Sequence, residues 1–180
     1  MSKTLLVTGP PGAGKSTAGE ALTEQSVGTW AYIDQDKVRQ QIKAGFTDPS
    51  NPWTDETQKQ WDVSVALCSD MAKRYQEYGI NCLIDCFIPP HSLEKWKQTF
   101  INVDYEIIVI LPTIKVALAR NDQRSGGARL RESQVRQHHE WFTEYQHDQR
   151  IKIIDSSALA VKDVISALED ILKTLYIKSI

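Results

Sequence analysis

Gly9-Pro10-Pro11-Gly12-Ala13-Gly14-Lys15-Ser16 is the stretch on which the reading of this chain turns. It has the spacing G-x-x-x-x-G-K-[ST] and lies between two contrasting segments. Before it, Thr4-Leu5-Leu6-Val7-Thr8 is a short β-branched and leucine run; after it, Thr17 to Gln25 is helical in composition, with Ala18, Ala21 and Leu22 at inward spacing. Strand, glycine loop and helix form the setting that a phosphate-holding loop requires. The glycines let successive backbone N–H groups turn inward on an anion, and the helix adds its positive end. Gly9, Gly12, Ala13, Gly14 and Thr17 are therefore expected to hold nucleotide phosphates, with Thr17 at the α-phosphate. Lys15 is expected to reach the β- and γ-phosphates as a mobile charge, and Ser16 to ligate Mg2+. A glycine-rich turn without a ligand is the plain alternative, and the fixed positions in this setting outweigh it.

Outward from the loop, strands and helices alternate. Trp30-Ala31-Tyr32-Ile33 predicts a second strand ending at Asp34, then a short helix over Lys37–Lys43. Gly45–Trp53, with Asp48-Pro49 and Asn51-Pro52, reads as a loop, and Thr54–Tyr78 as a long helix stopped by Gly79. Asn81–Ile84 predicts a third strand ending at Asp85, followed by a helix around Ser92–Thr99. Tyr105–Leu111 is apolar enough for a strand buried on both faces, and Thr113–Asn121 is a helix. Helix returns over Glu132–His147, Ile151–Ile154 is a last strand, and the terminal helix sets Val164, Ile165, Leu168 and Leu172 on one face. This alternation predicts a parallel, doubly wound α/β sheet in one domain over residues 1–180.

In such sheets ligands bind beyond the carboxyl ends of the strands. That rule singles out Asp34 and Asp36 after the second strand, Asp85 after the third and Asp155 after the last. Asp34 and Asp85 are candidates for holding Mg2+ through water, and Asp36 for orienting an acceptor hydroxyl and taking its proton. All three, with Arg39 one helical turn on, are candidates to face the substrate. Against this stands the ordinary use of such an Asp as a helix N-cap. Arg120 and Arg124, four apart, introduce an irregular stretch over Asp122–Arg131 with Ser125-Gly126-Gly127. Arginines on a flap can close over a nucleotide and stabilise charge on a transferring phosphoryl group, so both are expected at the nucleotide and Arg124 at the chemistry. The lid is placed at roughly residues 122–136. His138, His139 and His147 fall on a helix among Gln and Glu and read as a solvated face.

Composition sets outer limits. A net charge of −2 gives no global basic field and argues against a nucleic-acid partner. No apolar run reaches the roughly eighteen residues of a membrane span, and no signal-peptide pattern precedes the first strand, so the expectation is a cytoplasmic protein without a membrane partner. Cys68, Cys82 and Cys86 lack C-x-x-C spacing and suit reduced thiols in a core.

On these residues the chain resembles the small P-loop kinases of the nucleoside-monophosphate-kinase-like group, over nearly its whole length. Gly9–Ser16, then Asp34-x-Asp36, then a lid with arginines, is similar to shikimate and gluconate kinases. Asp36-x-x-Arg39 with Arg120-Asn121-x-x-Arg124 is more similar to polynucleotide 5′-hydroxyl kinase domains. The resemblance implies a three-layer P-loop NTPase fold with a five-stranded parallel sheet in the order 2-3-1-4-5, helices on both faces and an arginine-bearing lid. It also implies that Asp36 activates the hydroxyl, Arg39 contacts an acceptor phosphate and Arg124 supports the nucleotide phosphates. Asp85-Cys86-Phe87 departs from the Asp-Thr-Asn usual after the third strand of polynucleotide kinases. The shikimate-binding glycine pair and arginines have no counterpart here.

Other P-loop classes fail on residues: Asp85 is not followed by x-x-Gly, and Asn121-Asp122-Gln123-Arg124 is not Asn-Lys-x-Asp. The expected activity is ATP-dependent transfer of the γ-phosphoryl group to a hydroxyl of a small metabolite such as a sugar or sugar acid, with Mg2+. The alternatives are a polynucleotide or nucleoside 5′-hydroxyl kinase, which would make nucleic acid a partner after all, and a nucleotide-binding sensor without catalysis.

Overall fold

The apolar run Thr4–Thr8 forms β1, and all five of its residues are buried, because it runs through the middle of the sheet with helices over both faces. The structure is a computed structural model that describes residues 2–124 and 129–177. Residues 125–128 of the expected lid, including Ser125-Gly126-Gly127, lie outside the described part.

The further strands are β2 (Trp30–Asp34), β3 (Asn81–Asp85), β4 (Tyr105–Ile110) and β5 (Lys152–Ile154). All pairings are parallel and the order is β2-β3-β1-β4-β5, the order implied by the resemblance. The helices are α1 (Lys15–Gln25), α2 (Gln35–Arg39), α3 (Asp55–Glu77), α4 (Leu93–Thr99), α5 (Ile114–Asp122), α6 (Glu132–Thr143) and α7 (Val161–Ile177), with single 3-10 turns at Pro90–Ser92 and Glu144–His147.

Alternation along β1 divides the core between the two faces. Leu5 and Val7 pack with Leu22 of α1 and Val164 and Leu168 of α7, whereas Leu6 packs with Val65 and Cys68 of α3, Trp96 of α4 and Phe142 of α6. All three cysteines are buried in the core. No helix of the described residues is long and apolar enough to cross a membrane.

Local chemistry sets the element ends. Thr54 caps α3 by accepting the Thr57 N–H, and Gly79, at φ +74°, lets Ile80 N–H turn back to the Tyr75 carbonyl at 2.9 Å. Two helices differ from expectation. α2 spans Gln35–Arg39 rather than Lys37–Lys43, because Asp34 accepts the Lys37 N–H at 3.1 Å and starts the helix earlier. The helix expected over Glu132–His147 is α-helical only to Thr143 and tightens into the 3-10 turn beyond it.

The parallel register brings the carboxyl ends together. Val7 and Asp34 are each level with Asp85, so the loop after β1, the start of α2 and the end of β3 meet at one edge.

Candidate active site

The loop between β1 and α1 has the backbone shape its glycines permit. Gly12 lies at φ +81°, and a Cβ there would sit 2.4 Å from the Ala117 carbonyl oxygen of α5. Gly14, at φ +93°, is the N-cap of α1. Lys15 lies across the loop, donating to the Gly9 carbonyl at 3.0 Å and the Pro10 carbonyl at 3.4 Å.

Ser16 donates its hydroxyl to Asp85 Oδ2 at 2.5 Å. Tyr32 of β2 donates to the same oxygen at 3.2 Å. The Tyr32 hydroxyl is held protonated far above its ordinary range by burial first, then by the charges of Asp85 and Asp34. Gly19 makes this possible. A Cβ there would stand 3.0 Å from the Tyr32 ring and 2.8 Å from Leu83, so a residue that costs a helix interior about 1 kcal/mol lets the ring pass beneath α1. Ser16, Asp85 and phosphate oxygens would form the all-oxygen donor set that suits Mg2+, and the residues present fit that ion. Asp34 sits beside them in register, with one oxygen committed to the Lys37 N–H and the other 3.6 Å from the Lys37 ammonium.

Asp36 occupies the first turn of α2 and keeps 66% of its side chain open to water. Its pKa is nonetheless raised, chiefly because surrounding protein displaces part of its solvent. Asp34 and Asp85 push the same way, while Arg39 and Lys15 oppose them. The carboxylate thus lies within electrostatic reach of the loop lysine and both neighbouring carboxylates.

Arg39 lies differently from the expected direct contact with an acceptor. Its side chain is only 2% exposed; it donates to the Thr47 carbonyl at 2.9 Å and is 3.5 Å from Asp36. The guanidinium carbon stands 4.9 Å from the Phe46 ring centre and 5.5 Å from that of Trp61. Arg39 therefore ties the loop after α2 to Asp36. Gln60 fastens the same loop from α3, accepting from the Thr47 backbone and donating to the Gly45 carbonyl at 2.8 Å.

On the other side of the loop, Arg120 donates to the Ser156 hydroxyl at 3.1 Å, the Ser156 carbonyl at 2.9 Å and the Ala13 carbonyl at 3.3 Å. It joins the phosphate loop to the segment after β5. Beside it lies a cavity of about 310 Å³ bounded by Gly12, Thr17, Arg120, Arg124, Leu159 and Val164. That volume is at the low end for a small-molecule site, and its polar and apolar walls suit a nucleotide. Asn121 staples Leu130, within the stretch expected to be a lid, to α5, donating to the Leu130 carbonyl at 2.9 Å and accepting the Leu130 N–H at 3.1 Å. Arg129 and Arg136 form surface ion pairs with Asp122 and Glu132.

His138 is not on a solvated face. Its ring is half-buried between Phe87 at 5.1 Å and Trp141 at 5.0 Å, and its pKa is lowered by burial and then by the charge of Lys15. Spacing carried the signal: Val135, His138 and Phe142 are three and four apart, and both neighbours are fully buried. Tyr32 was missed in the same way, although it shares a strand face with Asp34.

A glycine loop at a helix N-terminus, a seryl–aspartyl pair and a second carboxylate at the sheet edge define a P-loop nucleotide-binding protein with a kinase-type fold. The AAA domain family matches residues 5–145, and the chain belongs to that family. Among solved structures it is similar to a sugar kinase from a Janibacter species, with a TM-score of 0.71 and 15% identity over 96% of this chain and 95% of that one. A gluconokinase from Sinorhizobium meliloti gives 0.69 and 18%, covering 99% and 98%. A tunicamycin resistance protein from Deinococcus radiodurans gives 0.68 and 15%, covering 96% of each chain. No curated protein matches the chain significantly.

Proposed function

We propose that this protein is an ATP-dependent phosphotransferase that moves the γ-phosphoryl group to a hydroxyl of a small metabolite. The observation that carries the reading is the division of labour among the carboxylates. Asp85 is buried and bonded to Ser16, whereas Asp36 is open, raised in pKa and in electrostatic reach of Lys15. A site that only held nucleotide would gain nothing from a second carboxylate, raised in pKa and in electrostatic reach of the loop lysine. The kinase-type relatives in fold support the same reading.

The loop N–H groups and Lys15 hold and neutralise the β- and γ-phosphates. Mg2+, held through Ser16 and Asp85, would supply further charge neutralisation. Tyr32 fixes the orientation of Asp85, and Asp36 orients the acceptor hydroxyl and accepts its proton. Arg39 keeps Asp36 and the loop after α2 in place. Arg120 braces the loop from behind, and Arg124, which borders the cavity beside it, supports the nucleotide phosphates in this reading.

A transfer screen with γ-labelled ATP across sugars, sugar acids, nucleosides and 5′-hydroxyl oligonucleotides tests the reading. Label should appear on a small hydroxyl compound, and Lys15→Ala should abolish it. ATP binding without transfer to any acceptor would favour a sensor, and transfer to oligonucleotides alone would favour the 5′-hydroxyl kinase.

A further inference from the structure

Close to Arg39 and Asp36, rings drawn from separate parts of the chain form a continuous strip. Trp53 closes the loop after α2, Trp61 projects from α3, Phe87 follows β3, and His138 and Trp141 stand on α6. Each meets the next: Trp53 and Trp61 are 5.7 Å apart, Trp61 and Phe87 6.3 Å, Phe87 and His138 5.1 Å, and His138 and Trp141 5.0 Å. The strip is anchored from behind, since Phe87 rests on the fully buried Phe142 at 5.3 Å and the Trp53 indole N–H donates to Gln58 at 3.1 Å.

Core packing accounts for only part of these rings: Trp61 and Phe87 rest one side against the core and keep some of their surface exposed. Trp96, Phe100 and Phe142 fill the core and are fully buried, whereas Trp53 is 51% exposed and the other four rings are partly so. A run of exposed aromatic surface beside a catalytic carboxylate marks a ligand face. Its position is fixed at both ends. The Arg39 guanidinium that abuts Trp61 also reaches Asp36, and His138 feels the charge of Lys15. Among the described residues, three buried side-chain polar atoms lack a hydrogen-bond partner, and two of them, Arg39 Nε and His138 Nδ1, lie along this strip. Polar groups left unpaired beside a cleft point to a site completed by a ligand or by closure.

Ring orientation narrows the ligand. Successive rings are tilted by 58°, 88°, 58° and 35°, so no parallel pair forms a slot to sandwich a flat base. The strip is an angled, one-sided wall. Resting on the phosphotransferase reading, we propose that the acceptor is a cyclic molecule, a ring-closed sugar or an aromatic-ring alcohol. It lays one apolar face on the exposed ring of Trp53, meets the inclined rings of Trp61 and Phe87 at its rim, and presents a hydroxyl at its edge to Asp36. In the transfer step that hydroxyl gives its proton to Asp36, its oxygen bonds to the γ-phosphorus, and the bond from the γ-phosphorus to the β–γ bridging oxygen breaks with its electron pair leaving on ADP. Open-chain polyols and aldonic acids present no such face and are poor acceptors.

The test compares methyl glycosides, which cannot ring-open, and aromatic alcohols with open-chain polyols and aldonates of matched hydroxyl count, using γ-labelled ATP. Trp53→Ala and Trp53→Phe are assayed alongside; Trp53 is exposed at the rim, so the fold survives its loss. Ring-closed acceptors should be phosphorylated and should quench tryptophan emission when added to protein loaded with a non-hydrolysable ATP analogue. Trp53→Ala should raise the acceptor KM about tenfold, equivalent to about 1.4 kcal/mol, with kcat changed far less and Trp53→Phe recovering most of the loss. Transfer to an open-chain acceptor with a KM indifferent to Trp53→Ala would overturn the proposal and leave the phosphotransferase reading standing. ATP binding without transfer to any acceptor would overturn both.

Discussion

Ser16, in the first turn of α1, donates its hydroxyl to Asp85 at the end of β3 across 2.5 Å, so the phosphate loop and the neighbouring strand are joined at one point. Both groups carry oxygen donors for a divalent cation. Asp85→Asn and Ser16→Ala should therefore weaken nucleotide binding only when Mg2+ is present, by about 10- to 100-fold. Calorimetric titration with ADP and with Mg-ADP checks this. An unchanged ratio of the two affinities in Asp85→Asn would place the metal seat elsewhere.

Gly12 and Gly45 both have left-handed backbone, at φ +81° and +76°, but their surroundings differ. A Cβ on Gly12 would strike the Ala117 carbonyl at 2.4 Å, whereas one on Gly45 would meet nothing within 4 Å. Gly45→Ala should cost only backbone strain, about 1 kcal/mol. Gly12→Ala should cost clearly more and should also impair nucleotide binding. Thermal unfolding of the two variants side by side separates strain from collision.

Asp36 has its pKa raised above the ordinary 3.8 in the folded chain. Such a group favours folding fully below 3.8, and that contribution is lost as pH rises through its folded value. At neutral pH its carboxylate is therefore a burden on the fold. Asp36→Asn should unfold at a higher temperature than the parent at pH 7, with the difference closing toward pH 3.8 and below. A lower melting temperature at pH 7 would mean that the Arg39 contact outweighs desolvation.

His138 has its pKa lowered from 6.5 by burial and by Lys15. Between 6.5 and the lowered value the unfolded chain binds the extra proton and the folded chain does not, so stability falls as pH drops below 6.5. His138→Phe keeps the ring contacts and removes the titration. Its stability should change less than that of the parent between pH 7 and pH 5 in denaturant melts.

The strand–loop–helix unit around Gly9–Ser16 and the alternation that builds the sheet were legible because each rests on local chemistry: glycine torsions, cap residues and apolar period. The strand-end aspartates were legible for the same reason. What could not be read locally was partnership. Arg39 reads, from its spacing to Asp36, as a partner for that carboxylate or for an anionic substrate group, and only the fold shows Phe46, Trp61 and Thr47 closing around it. Tyr32 reads as strand, and its bond to Asp85 depends on its ring passing beneath Gly19, thirteen positions earlier in a different element. His138 was hidden by the Gln and Glu around it, although the stripe with Val135 and Phe142 was there to find.

The account stands or falls on Asp36 as the group that receives the acceptor proton. The direct measurement is single-turnover transfer of labelled γ-phosphate to the best acceptor by the parent and by Asp36→Asn, with ATP affinity measured on the same samples. ATP should bind both alike, while transfer by Asp36→Asn should fall by about 10²- to 10⁴-fold, the usual contribution of a positioned base. Transfer at the parental rate by Asp36→Asn would contradict it.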